Sequence, residues 1–275
     1  MREVRSTASL EDVKSYWERH PLCSIELPQL PGTREFFEVH SRLRDAEVER
    51  YSKKLWRFNS LAGKRVLYVG CGPGWLVENY AAGRASVVGM DLTHRALALT
   101  RDRLGFNGLR APLVQGDIQT LPFRDSSVDF VSCAGVLHHI PTPERGVSEI
   151  HRVLKPGGTA VLSVYYKNFL LRPHVWPFTR FFIRRLLTSV PGRRSLGCAD
   201  TVETFVRNYD GDANPLGRAY GRAEALRLCR HFQVEKTEIH YFPFRFLPFS
   251  RLMCGRTRGL LDRFVGLMIF LVLRK

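Results

Sequence analysis

A glycine loop, two strand-end carboxylates and a pair of histidines are the residues whose types and spacing can do chemistry in this chain. The loop lies in "KRVLYVGCGPGW", Lys64 to Trp75. An apolar strand, a glycine-rich turn and a helix bring backbone N–H groups and a positive helix end to a ligand. Glycine permits positive φ and close approach there. A dinucleotide fingerprint starting at Gly70 needs a third glycine at position 75. That position is Trp75, and the glycines fall instead at Gly70, Gly72 and Gly74. Such a loop faces a ligand without demanding a diphosphate. Asp91 ends the next apolar run, about twenty residues on, where a carboxylate can accept both hydroxyls of a ribose. Asp117, in "QGDIQTLPF", can accept from an adenine amino group while the Ile118 N–H donates to a ring nitrogen. Either acid alone suits the cap of the helix or turn that follows it; two in register with the loop favour a ligand.

His138 and His139 follow the fourth strand expected in the chain, and a histidine there can act as a base near neutral pH; His139 is the preferred candidate. Tyr16, Trp17 and His20 lie in an N-terminal helix able to close over a cofactor. Tyr220 and Asp210, in "NYDGDANPLGRAY", can reach an acceptor from a later segment. Packing and ordinary turn formation are the competing accounts for all of these.

The elements that must position them alternate. "RVLYVG", "ASVVGMD", "APLVQGD", "VDFVSCA" and "TAVLSVYY" read as strands. "WLVENYAA", "THRALALTRDRLG" and "TPERGVSEIHRVL" read as helices, the last with Thr142 as N-cap and Pro143 at its first position. This alternation predicts parallel pairing through right-handed crossovers, hence a doubly wound α/β sheet. Ahead of it "SLEDVKSYWERH" predicts a helix with a Ser9–Asp12 capping box, and 33–58 one long helix or two short ones. "QVEKTEIHYF" and 264–273 predict two further strands, with a basic-aromatic loop, "PFRFLPFSRLMCGRTRGLLDRF", before the last of them.

The segment Leu121 to Gly158, "LPFRDSSVDFVSCAGVLHHIPTPERGVSEIHRVLKPGG", together with the loop and its acids, resembles the class I S-adenosylmethionine-dependent methyltransferases, in particular the methyltransferase type 11-like branch. The match covers roughly 64–165; "YWERHP" and "GTREFF" resemble, more weakly, the helical lid of related bacterial enzymes. The resemblance implies a Rossmann-like sheet of seven strands in the order 3-2-1-4-5-7-6, mostly parallel with the last strand antiparallel. It divides the chain into an N-terminal helical extension, 1–62, and a methyltransferase domain, 63–275, with an insertion at about 167–220 after strand 5. It also implies S-adenosyl-L-methionine as cofactor. Gly70, Cys71, Gly72 and Gly74 would lie against its methionine part, Asp91 and Leu92 at the ribose, Asp117 and Ile118 at the adenine, and Cys133 and Ala134 beside the sulfonium. One position departs: the family usually has Asp or Glu two residues before the first glycine, near the methionyl ammonium, and here it is Tyr68. A neutral phenol there forfeits about 1–2 kcal/mol of charge-assisted bonding. Three explanations stay open: another acid or a backbone carbonyl replaces it, the cofactor binds weakly, or the domain no longer catalyses.

Methyl transfer from a sulfonium is a direct displacement in which alignment supplies most of the acceleration. A base is needed only where the acceptor must lose a proton, as a hydroxyl must. The insertion should set specificity. Its "FLLRPHVWPFTRFFIRRLL" mixes arginines with aromatic and aliphatic residues, which suits a small or medium apolar or lipid-linked metabolite and peripheral membrane contact through 167–194. The net charge is +16, and residues 167–275 hold 20 basic against 8 acidic side chains. An RNA methyltransferase is therefore an alternative, although nucleic acid is an unlikely partner because no RNA-binding module is visible. Arginine outnumbers lysine 34 to 8, so a GC-rich genome accounts equally well for the charge. The six cysteines are scattered with no Cys-x-x-Cys pair, so reduced thiols in the cytoplasm and no metal site are expected. The N-terminus lacks a secretory pattern. The longest apolar run, Phe264 to Leu273, falls short of the roughly 20 residues a membrane span needs. The sequence leaves the acceptor and the oligomeric state open.

Overall fold

In the computed structural model, which describes residues 8–24, 27–187, 194–247 and 252–275, the strand Arg65–Val69 (β1) is the centre of the sheet. Val66 and Tyr68 point into one core and Leu67 and Val69 into the other. A strand buried on both faces must be apolar almost throughout, as this one is. β1 pairs in parallel with Ser86–Asp91 (β2) and Val128–Ala134 (β4). β2 carries Leu113–Gln115 (β3), and β4 carries Leu154–Tyr166 (β5), again in parallel. A two-residue strand, Ala219–Tyr220 (β6), pairs with the end of β5. Gln233–His240 (β7) and Met268–Arg274 (β8) complete the sheet, with β8 antiparallel to both β5 and β7. The order is β3-β2-β1-β4-β5-β8-β7. Without the short β6 this is the expected 3-2-1-4-5-7-6.

The helices are α1 (Leu10–Arg19), α2 (Arg34–Leu43), α3 (Trp75–Ala82), α4 (His94–Phe106), α5 (Pro143–Val153), α6 (Trp176–Leu187), α7 (Arg194–Gly197), α8 (Val202–Arg207), α9 (Arg222–Leu228) and α10 (Gly255–Val265). Three sequence expectations are corrected. The basic-aromatic stretch before the last strand contains α10 rather than only loop. The last strand starts at Met268, because Phe264 and Val265 still belong to that helix. The 33–58 segment is α2 followed by a π-helical turn, Arg44–Val48, and a short 3-10 turn, Lys53–Trp56.

Two devices tie the N-terminal helices to the sheet. α1 begins with the expected reciprocal Ser9–Asp12 capping box, worth about 1 kcal/mol. At its far end the Glu18 carboxylate accepts the His94 and Arg95 N–H groups at 3.0 and 2.9 Å, so α1 caps the N-terminus of α4. The second device is Arg103, 1% exposed. Its guanidinium donates to the Pro73 carbonyl in the glycine loop (2.6 Å), Glu78 on α3 (2.6 Å), Ser41 (2.9 Å) and His40 Nδ1 on α2 (2.8 Å).

Candidate active site

The sheet changes direction between β1 and β4: the chain winds out through β2 and β3, then returns to β4 on the other side. In open α/β sheets ligands bind in the crevice at the carboxyl ends of the strands, at that point. The expected residues gather there. Gly70, Gly72 and Gly74 all adopt positive φ (74°, 49° and 79°). A Cβ on Gly70 would stand 2.1 Å from Val136 Cγ2, and one on Gly74 about 2.9 Å from Thr100, so these two are glycines because protein packs against them. Gly72 has nothing within 4 Å of that position. Its bare backbone is the part of the loop open to a ligand.

Asp91 ties loop to strand. Its Oδ2 accepts the Gly72 N–H at 3.0 Å, and its Oδ1 accepts the Thr93 N–H (3.0 Å) and hydroxyl (2.9 Å). Burial raises its pKa, against the lowering effect of the Gly72 and Thr93 bonds. Leu92 follows, its carbonyl accepting from the Gln115 side chain. Asp117 Oδ1 accepts the Gln119 N–H at 2.9 Å and caps the turn Ile118–Thr120, in which Ile118 is buried. Both acids thus do capping work at the positions where the ribose and adenine contacts are expected. Cys71 and Cys133 are buried, and burial pushes both thiols up. Cys71 Sγ accepts from Thr100 Oγ1 at 3.4 Å. Ala134 is partly buried at the end of β4. Tyr68 is 5% exposed, and burial raises its pKa, so the phenol is uncharged.

Beyond β4 the chain forms the short turn Leu137–His139, with both histidines buried. His139 Nδ1 lies 2.6 Å from the Leu216 carbonyl and Nε2 lies 3.0 Å from Asp210 Oδ2. The same Asp210 oxygen accepts the Tyr165 hydroxyl at 2.5 Å. Tyr16 of α1 donates to the Asp210 carbonyl at 3.1 Å, and the Trp17 ring sits 5.1 Å from the His139 ring. His20 lies against Tyr16, with ring centroids 4.9 Å apart. The His138 ring lies tilted against the Tyr165 ring, centroids 4.1 Å apart, and burial drives its pKa well below the ordinary value. Ligand atoms of His138, His139 and Asp210 all lie within 4.8 Å of one another, a spacing also suited to a cation. No short-range sequence spacing announces that trio, because Asp210 comes from the insertion.

Tyr220 stands apart. Its β6 neighbour Ala219 packs into the core that holds Tyr165 and Tyr209, while Tyr220 packs with Tyr166 and Leu226 on the opposite face. Burial pushes its hydroxyl up to about 12, against the lowering effect of Arg218. Tyr165 is the member that sequence reasoning missed, since an aromatic in a buried strand reads as core. Its place one residue before the end of the strand, at the carboxyl edge where ligands bind, was the available signal.

Residues 67–162 match the family model described as a methyltransferase domain. That span contains the glycine loop, both strand-end acids and the histidine turn. Residues 67–162 carry a methyltransferase domain, consistent with the class I S-adenosylmethionine-dependent branch. Its cofactor is S-adenosyl-L-methionine, and the open Gly72 backbone and the strand-end Asp91 fit that group. Among curated relatives, the domain is 36% identical over 110 residues to the ubiquinone biosynthesis O-methyltransferase of Aromatoleum aromaticum, covering 40% of this chain and 47% of that protein. The alignments to such relatives thus span about half of their length. A longer alignment, to the protein of the same name from Vibrio cholerae, is 29% identical over 247 residues, 81% of this chain and 91% of that one. Two solved structures share the methyltransferase fold. An S-adenosylmethionine-dependent methyltransferase from Mesorhizobium loti superposes with a TM-score of 0.57 at 19% identity, covering 84% of this chain and 99% of that one. A [4+2]-cyclase, SpnF, superposes with a TM-score of 0.54 at 19% identity, covering 97% of this chain and 93% of that one. Among the described residues no helix is long and apolar enough to cross a membrane.

Proposed function

We propose that this protein methylates a hydroxyl group on a small or medium apolar acceptor of lipid-linked type. The observation that carries the reading is the His139–Asp210–Tyr165 cluster at the carboxyl edge of the sheet, beneath the lid helix α1. Bound at the glycine loop, the cofactor supplies an electrophilic methyl group. The chain's own residues align the acceptor and take its proton. Both ring nitrogens of His139 face acceptors, so Asp210, which accepts from Nε2, is the member of the pair able to take a proton. A hydroxyl placed at the Asp210 carboxylate delivers its proton to that pair, and Tyr165 holds the carboxylate in place. Such proton transfer is worth roughly 10²–10⁴ in rate. The names of the relatives favour a lipid-linked phenol, and the aromatic, basic insertion is consistent with one.

The test is release of S-adenosylhomocysteine from S-adenosylmethionine with a panel of prenylated phenols, water-soluble catechols, amines and RNA. Turnover on the prenylated phenols, lost in Asp210→Asn, is the expected result. Turnover confined to amines or RNA overturns it. The same assay with a chelator separates the two uses of the histidine–aspartate cluster: unchanged turnover favours proton transfer, and loss restored by a divalent cation favours a metal. Tyr68 supports a second reading, a cofactor-binding protein with altered chemistry; tight product binding without turnover on any acceptor would favour it.

A further inference from the structure

The position two residues before the first glycine holds an uncharged phenol, yet a buried carboxylate stands nearby. Glu49 is 1% exposed. Its Oε1 accepts from Arg44 at 2.5 Å, and its Oε2 accepts the Ser52 hydroxyl and the Trp56 indole N–H, each at 2.6 Å. A carboxylate offers about four acceptor sites, so one remains. The Arg44 guanidinium lies over the ring of Trp75, 5.2 Å from its centroid, at the first residue of α3 and directly after Gly74. Arg44 Nε is buried without a hydrogen-bond partner. The pair therefore sits against the glycine loop. The charges of Arg44 and Glu49 are both felt at the Tyr68 hydroxyl, in opposite directions.

The backbone that delivers the pair is irregular. The Glu49 N–H closes a π-type bond to the Arg44 carbonyl at 2.7 Å, and single π-turns occur frequently at functional sites. A buried ion pair is weak evidence for stability, because desolvation offsets most of the attraction. A paired positive and negative charge, with one free donor and one free acceptor site, matches the carboxylate and ammonium of an α-amino acid.

We propose that Glu49, steered by Arg44, takes the place of the acid missing at Tyr68 and holds the methionyl ammonium of the cofactor, with Arg44 Nε facing the carboxylate of the same group. The inference rests on the assignment of S-adenosylmethionine to the glycine loop. It makes the N-terminal extension part of the cofactor site.

The test is calorimetry on the full chain with two ligands: S-adenosylhomocysteine, which has the amino-acid end, and 5′-methylthioadenosine, which lacks it. Native protein should bind S-adenosylhomocysteine more tightly. Glu49→Gln should weaken S-adenosylhomocysteine binding about tenfold or more and leave 5′-methylthioadenosine binding unchanged. Adding Tyr68→Glu to that variant should restore part of the loss. Equal loss for both ligands, or no loss for either, overturns the proposal. Tyr68→Phe keeps the test open if Glu49→Gln fails to fold: both affinities should stay at the native level, and a selective loss of S-adenosylhomocysteine binding would make the phenol itself the partner and overturn the role of Glu49. If native protein binds neither ligand, the cofactor assignment falls, and this inference with it.

Discussion

His139 is held by acceptors on both sides, the Leu216 carbonyl at 2.6 Å and Asp210 Oδ2 at 3.0 Å. A neutral imidazole donates from only one nitrogen, and donation from Nε2 makes Asp210 the acceptor of the pair. Asp210→Asn removes the acceptor of that proton. It should lower the rate of methyl transfer to a hydroxyl by about 10²-fold or more, with cofactor affinity unchanged; single-turnover kinetics beside calorimetry checks both. His40 carries a different prediction. Burial, with Arg103 and Arg44 beside it, lowers its pKa well below the ordinary value, and its Nδ1 faces a guanidinium that can only donate. His138 is likewise lowered, by burial and His139. The unfolded chain takes up protons at these histidines below about pH 6.5, and the folded one does not. Stability must therefore fall as pH drops below 6.5, by up to about 1.4 kcal/mol per pH unit for each group. His240 has the opposite sign: bonds to Asp262 and Glu238 outweigh its burial and raise its pKa. Its contribution is present below the unfolded value and is lost as pH rises through the folded one. That contribution is already complete below about pH 6.5 and does not offset the lowered histidines there, so thermal melts should show a net loss of Tm from pH 6.5 to 5, smaller in His40→Gln.

At the scale of elements, Arg103 joins α4 to α2, α3 and the glycine loop with bonds no longer than 2.9 Å to four separate partners. Arg103→Met leaves the Glu78 carboxylate and the Pro73 carbonyl without that donor. Breaking such a pair costs about 3–5 kcal/mol, and the loop should lose cofactor affinity with it; chemical denaturation and calorimetry measure the two effects. Nothing in the sequence marks this residue, because an arginine in "THRALALTRDRLG" reads as a solvated face. The strand-end acids, the loop and the parallel α/β alternation were legible because they follow from short-range spacing and apolar periodicity; the strand order was implied by the resemblance. Glu49 was not, since its carboxylate meets the loop only after α2 and the π-turn fold back. Tyr220 was misread for a related reason: it and Ala219 form a two-residue strand, and parity places its ring on the far face from Asp210. The loop expected before β8 is α10: Gly255 and Gly259 lie inside it and lower its helix propensity, which hid a helix otherwise built on arginine and leucine.

At the scale of the whole molecule, basic charge and exposed aromatic surface fall on the same elements. Phe178, Phe181 and Phe182 of α6 are 72, 64 and 62% exposed, and Phe169, Leu260 and Phe264 are exposed as well. The turn Phe169–Leu171 touches both α6 and α10, and Asn168 beside it donates to the Val265 and Gly266 carbonyls. These side chains therefore lie on neighbouring elements. α6 has no acidic residue and three arginines; the rest of the expected contact segment, 188–193, lies outside the described residues. Large exposed apolar patches mark interaction sites. A face of this composition suits an anionic lipid surface, where each inserted phenylalanine contributes about 1.5–3 kcal/mol and each nearby arginine about 1 kcal/mol. Replacing Phe178, Phe181 and Phe182 together by serine removes about 4.5–9 kcal/mol of potential insertion energy. It should abolish co-sedimentation with phosphatidylglycerol vesicles and leave Tm close to the native value, because none of the three rings is buried. Vesicles of phosphatidylcholine alone should bind the native protein weakly, and added salt should weaken the anionic case further. Equal binding to both vesicle types would assign the patch to apolar contact alone, and persistent binding by the triple variant would move the membrane contact elsewhere on the molecule.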